Sequence, residues 1–166
     1  RNSSRPRQSG LRYWNLRFIA KDTMVHSLIK LEPEPAAYRY IWSVLMLPHI
    51  QAAVFKDWQG PEGYHALCQL LDEGHWFLVP VVGGEAAGLV WGEVCEDSEI
   101  EGHLAFLRGI PPRALQESME DICEFCATDF DIIRVCKDGL SRAGRMFIKR
   151  AGFKDQGAFF TRELDK

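Results

Sequence analysis

A chain of 166 residues is long enough for one domain with one hydrophobic core. Its apolar share of 46% and charged share of 26% are those of a globular protein, and a formal net charge of -3 argues against a dedicated nucleic-acid binder, which would carry a basic surface. No segment is apolar over the length needed to span a bilayer, and the first residues lack the apolar core and cleavage site of a secretory leader. Five cysteines, Cys68, Cys95, Cys123, Cys126 and Cys136, follow no framework spacing, which points to reduced thiols and a cytoplasmic location.

Arg1 to Gly10 is rich in Ser, Arg, Pro and Gln and has no hydrophobic period. The expectation is a flexible extension over residues 1–23 and a single domain over residues 24–166. Val25 to Leu31 reads as a strand, stopped by Pro33 and Pro35. Ala36 to Leu47 sets Ala37, Ile41, Val44 and Leu45 at helical spacing, and Pro48 ends it. His49 to Phe55 reads as a second short helix, Gly60-Pro61-Glu62-Gly63 as a turn, and Tyr64 to Asp72 as a helix with Leu67, Leu70 and Leu71 inward.

The period then changes. Trp76 to Val82 and Ala87 to Cys95 read as strands joined by Gly83-Gly84, a hairpin signal, and Ile100 to Leu107 follows across the Asp97-Ser98 turn. Arg113 to Thr128 is an amphipathic helix with Leu115, Met119, Ile122, Cys123 and Cys126 on one stripe. That stripe makes the Cys123-x-x-Cys126 pair core packing rather than a redox or metal site. Asp131 to Cys136 is a buried strand, Ser141 to Ala151 a helix with Ser141 as N-cap, and Phe153 to Leu164 a final strand or hairpin. This order implies an α/β (α+β) fold, a mixed and mostly antiparallel sheet with helices on both faces.

The order resembles that of the GNAT superfamily of N-acetyltransferases, and local residues add to the likeness. Trp76-Phe77-Leu78-Val79 followed by Gly84-Glu85-Ala86-Ala87-Gly88-Leu89-Val90-Trp91 looks like the family's hairpin. Arg113-Ala114-Leu115 resembles the start of its phosphate-binding helix, and Arg150-Ala151-Gly152-Phe153-Lys154 the end of its last helix. The resemblance covers Val25 to Leu164, and Glu101 to Leu107 is most similar to phage-encoded members. It implies transfer of an acetyl group from acetyl-CoA, the co-substrate, to a small-molecule or peptide amine, with no nucleic acid, membrane or metal involved. It also implies that the strands at Ile100 to Leu107 and Asp131 to Cys136 part, so that their main-chain groups pair with pantetheine, and that pyrophosphate rests on N–H groups near Arg113.

On that resemblance the cofactor contacts fall to Ala105, Phe106, Leu107, Arg108, Gly109, Arg113, Ala114, Ser141 and Arg145. Four positions depart from the family's pattern. Pro111 and Pro112 stand where glycines usually offer N–H donors; either Arg108 and Arg113 compensate through charge-assisted contacts or the loop is a plain connection with proline at N1. Ile148 stands where many members have an acidic tyrosine, and Ser141 either meets the cofactor or only caps its helix. Glu101 or His103 would take the proton of the attacking ammonium; they share a strand face, Glu93 also faces the cleft, and histidine titrates in the useful range. Of the aromatic set Tyr38, Tyr40, Trp42, Trp58 and Tyr64, which falls on the acceptor side of the resembled fold, Tyr38 and Trp42 lie four apart on one helical face and shape an acceptor pocket or pack over the sheet. The departures motivate a second reading, a non-catalytic binding or structural module of the same fold with a phage connection.

Overall fold

The computed structural model of the protein describes residues 24–25, 28–54 and 56–165, so the extension expected over residues 1–23 lies outside the described residues. The chain runs through β1 (Met24–Val25), β2 (Leu28–Lys30), α1 (Pro35–Leu45), α2 (Pro48–Gln51) and a 3-10 turn (Lys56–Trp58) into α3 (Gly60–Asp72). The strands β3 (Phe77–Val82), β4 (Glu85–Ala86), β5 (Gly88–Glu96) and β6 (Glu99–Phe106) follow, then α4 (Pro112–Ala127), β7 (Ile132–Cys136), α5 (Arg142–Arg150), β8 (Lys154–Gln156) and β9 (Phe159–Glu163). One nine-stranded sheet results, in the order β1-β2-β3-β5-β6-β7-β9-β8 with β4 beside β3. Every pairing is antiparallel except β6 with β7.

The strands' period of two divides the core between the faces of the sheet. Ile29, Phe77, Val79, Leu89, Trp91 and Ala105 face the helices α1 and α3, which contribute Ile41, Val44, Leu45, Leu67 and Leu71. Leu28, Leu78, Val90, Ile100, Ile133 and Phe160 face α4 and α5, which contribute Met119, Ile122, Cys123, Cys126 and Ile148. Each such aliphatic side chain, fully buried, contributes about 1.5–3 kcal/mol before conformational entropy is charged against it. The two cysteines of α4 lie in this apolar layer, where burial pushes the Cys123 thiol up to about 11 and that of Cys126 further up.

One element starts earlier than its sequence suggests. Gly60-Pro61-Glu62-Gly63 is the first turn of α3, not a separate turn. Proline at the start of a helix removes an N–H that has no intrahelical partner there anyway. Gly60 holds φ +64°, and its N–H donates to Oε1 of Gln51 at 2.8 Å. The amide of Gln51 also donates to the carbonyl of Leu45, so one side chain ties the end of α1 to the start of α3. Gly63 is required by close approach: a methyl group there would stand 2.1 Å from the carbonyl carbon of Trp58. This contact seats the 3-10 turn against α3.

At the other end, Arg162 of β9 donates two 2.8 Å bonds to the carboxylate of Glu120 on α4 and a third to the carbonyl of Ala151 at the end of α5. A single guanidinium thus joins both helices of that face to the sheet. The described residues contain no helix long and apolar enough to cross a membrane.

Candidate active site

The parallel pair β6 and β7 is joined for only three residues: Glu99 opposite Ile132, Ile100 opposite Ile133 and Glu101 opposite Arg134. Beyond that point β6 stays with β5, through Phe106 opposite Gly88, while Val135 and Cys136 stay with β9. The two strands therefore part. The direction of the main-chain groups follows from the alternation of an antiparallel ladder. Leu107 donates its N–H to the carbonyl of Ala87, so Ala105 and His103 also turn their main-chain groups toward β5. Gly102, Leu104 and Phe106 turn theirs toward the opening. Leu104, where the gap is expected from the sequence, thus turns its main chain into it.

The opening continues into a cleft of about 600 Å³, open solvent at its mouth included, whose lining includes Trp58, Trp91, His103, Cys136 and Asp138. Its floor is the end of an aromatic row laid across three strands. Phe77 stands opposite Trp91 and Trp91 opposite His103, with the rings nearly parallel at 6.2 and 5.2 Å between centroids. Trp58 meets this row from the helix side, 6.0 Å from Trp91 and 6.1 Å from His103.

The structure separates the two expected bases. His103 lines the cleft with 10% of its side chain exposed, and its Nε2 lies 3.1 Å from Oε2 of Glu93 on β5. The imidazole's hydrogen bond holds the Glu93 carboxyl below its ordinary range, against the opposing effect of burial. An ionised Glu93 accepts from Nε2–H and so places the imidazole lone pair on Nδ1. Glu101 is committed elsewhere: Nε and Nη2 of Arg134 donate to its Oε2 at 3.2 and 3.1 Å, while Nη1 reaches Glu99 at 3.0 Å. Arg134 also lies over the ring of Phe159, 4.3 Å from its centroid. This charged knot marks the last residue pair before the strands part.

Two helices begin where the opening begins, because α4 follows β6 and α5 follows β7. In α4, Pro111 is the N-cap and Pro112 takes N1, and the first intrahelical bond runs from the N–H of Leu115 to the carbonyl of Pro111 at 3.1 Å. The N–H groups of Arg113 and Ala114 thus have no intrahelical acceptor, and the helix dipole adds to their pull on an anion. The prolines leave two donors in place and sit exposed, away from the cleft lining. Arg108 and Gly109 form the exposed turn before them, with Gly109 at φ +87°. Arg113 is 91% exposed and pairs along its own helix with Glu117.

In α5, Oγ of Ser141 accepts from the N–H of Gly144 at 3.1 Å, so its lone pair serves as a cap. Arg145 turns back to donate to the carbonyls of Leu140 and Lys137 in its own loop. Ile148 points into the core, 1% exposed, with no hydroxyl to offer the cleft. On the acceptor side, Tyr38 donates its hydroxyl to Asp72, which raises the phenol to about 12, and Trp42 packs edge-on to Tyr64 at 4.9 Å.

No family model matches the chain, and no curated protein matches it in sequence. Solved structures do match its fold. An aminoglycoside 6'-acetyltransferase of type Ii aligns at a TM-score of 0.66 with 10% identity, over 86% of this chain and 99% of that one. A GNAT superfamily phosphinothricin acetyltransferase from Sinorhizobium meliloti, in complex with acetyl-CoA, aligns at 0.62 with 14% identity, over 84% and 89%. A spermidine N-acetyltransferase from Vibrio cholerae, in complex with CoA and spermine, aligns at 0.59 with 11% identity, over 83% and 96%. The chain has the GNAT fold.

Proposed function

We propose that the protein transfers an acetyl group from acetyl-CoA to an amine. The observation that carries the reading is the opening between β6 and β7, which ends at Glu101 and Arg134 and turns the main chain of Leu104 and Phe106 toward a cleft. Neighbours of the same fold are complexes with acetyl-CoA and CoA. The residues fit such a ligand chemically: extended amides meet unpaired strand groups, and an anion meets the starts of α4 and α5. Leu104 and Phe106 would hold the pantetheine arm. The N–H groups of Arg113 and Ala114, with the Arg108 guanidinium, would hold phosphate.

Acetyl-CoA supplies an activated thioester. The chain must then supply a neutral amine beside it. His103 would take the ammonium proton on its imidazole, and Glu93 would orient the ring and balance the imidazolium that forms. Glu93 is in this reading a positioning residue. Glu101 has no part in proton transfer, since Arg134 holds its carboxylate. Holding the amine against the thioester is itself a large part of the rate, because orientation replaces a bimolecular encounter.

A second reading, a module without catalysis, draws on Ile148: its buried side chain cannot protonate a departing thiolate. Calorimetric titration with acetyl-CoA, followed by thiol detection with an amine mixture, separates the two. Saturable heat and thiol release are expected. Heat without release would favour the second reading, and no heat at all would remove the transferase proposal.

A further inference from the structure

Resting on that proposal, the same cleft also bears on which amines could enter it. We infer that the acceptor is a cationic amine with no carboxylate beside the reacting nitrogen, received in the cleft beside Trp58 and the Glu93–His103 pair.

Three observations carry this. First, the described residues lining the cleft include no lysine or arginine, and the ionisable ones are His103, Cys136 and Asp138. Behind His103 stands the Glu93 carboxylate, 3.1 Å away. Among the described residues the fixed charge beside the amine site is negative, and a carboxylate brought there would be desolvated with none of their cations to meet it. Second, cations near the seam are already engaged. Arg134 is held by Glu99 and Glu101, and Lys137 by Asp155. Third, aromatic rings line the walls. Trp58 and Trp91 both border the cleft, with an angle of 68° between their planes. Indole faces attract ammonium groups, the more so out of water.

These features act together on an amine. An alkylammonium gains from the Trp58 ring and from the two carboxylates, then gives its proton to His103. An α-amino acid carries the same ammonium with a carboxylate one carbon away, and that carboxylate meets Glu93 and Asp138. The amide of the same amino acid keeps the ammonium and side chain and removes the offending charge, so matched pairs isolate the effect.

The test uses the full chain with saturating acetyl-CoA and follows thiol release with phenylalanine against phenylalaninamide, leucine against leucinamide, and 1,5-diaminopentane. The amides and the diamine are expected to exceed the free amino acids at least tenfold in kcat/KM. Asp138→Asn is expected to narrow that ratio at least threefold, and added salt to raise KM for the diamine. Equal or faster turnover of the free amino acids overturns the inference while leaving the transferase reading intact. So does an unchanged ratio in Asp138→Asn, or failure of all five amines when calorimetry shows acetyl-CoA bound. Absence of acetyl-CoA binding overturns both.

Discussion

Gly63→Ala probes whether Trp58 is held as a wall of the cleft. A methyl group built at position 63 falls 2.1 Å from the carbonyl carbon of Trp58 and 2.2 Å from its oxygen, whereas ordinary contact begins at 3.4 Å. The obstacle is main chain, so no side-chain rotation relieves it, and the Lys56–Trp58 turn must retreat by more than about 1 Å. Helix propensity pulls the other way, since alanine within a helix is favoured over glycine by about 1 kcal/mol. Overpacking of this kind costs about 1–3 kcal/mol. Loosening the contacts of Trp58 with Trp91 and His103 adds about 0.5–1.5 kcal/mol. The net expectation is a loss of about 1–2 kcal/mol, read as a melting temperature lower by roughly 4 °C for a chain of this length. In the acetylation assay, KM for the amine should rise by about tenfold as the wall moves, with acetyl-CoA affinity by calorimetry unchanged within about twofold. A variant that melts higher than the parent and keeps its amine KM would show that Trp58 is not seated by this contact.

His103→Gln should lower kcat by roughly 100-fold or more while acetyl-CoA still binds by calorimetry, because the glutamine cannot take a proton. Glu120→Gln should cost about 0.5–1 kcal/mol at pH 7 in urea midpoints, after allowance for solvent screening of the half-exposed carboxylate. The hydrogen bond from Arg162 holds that carboxyl below its ordinary range, so its contribution is present above the unfolded-state value and is lost as pH falls through the depressed one. The two proteins should therefore converge in strong acid. A thiol reagent applied to the native protein should label Cys68, Cys95 and Cys136 well before Cys123 and Cys126, which lie buried in the α4 layer with raised thiols; mass spectrometry of the labelled peptides reads the order.

The parts of the fold legible in the sequence are those governed by local chemistry. Gly83-Gly84 turns β3 into β4 with positive φ at both residues, and Ser141 caps α5 as its position suggests. The stripe through Met119, Ile122 and Cys126 is buried as its spacing requires. The start of α3 misled because proline and glycine read as a turn, whereas here proline opens a helix and Gly63 admits the backbone of Trp58. The candidate bases were legible as a set, Glu93, Glu101 and His103 on one face. Their division was not. The hairpin register across Asp97-Ser98 could have placed Glu93 beside His103, since it sets Trp91 opposite His103 and Glu93 opposite Glu101. Arg134 could not have been assigned to Glu101, because the two lie 33 positions apart and meet through a parallel register that no local pattern encodes. Trp58 was legible as one of the acceptor-side aromatics, but its meeting with His103 was not, since that depends on the packing of α3.

The short seam between β6 and β7 makes the sheet two leaves stitched along three residue pairs, with α4 packed behind the join. A long ligand laid in the fork would touch both leaves and act as further stitching. Its binding should then be visible in heat tolerance: by mass action, a hundredfold excess over the dissociation constant adds about 2.7 kcal/mol to the stability of the folded form. Melting curves thus offer a way to rank ligands of this fork without following any reaction.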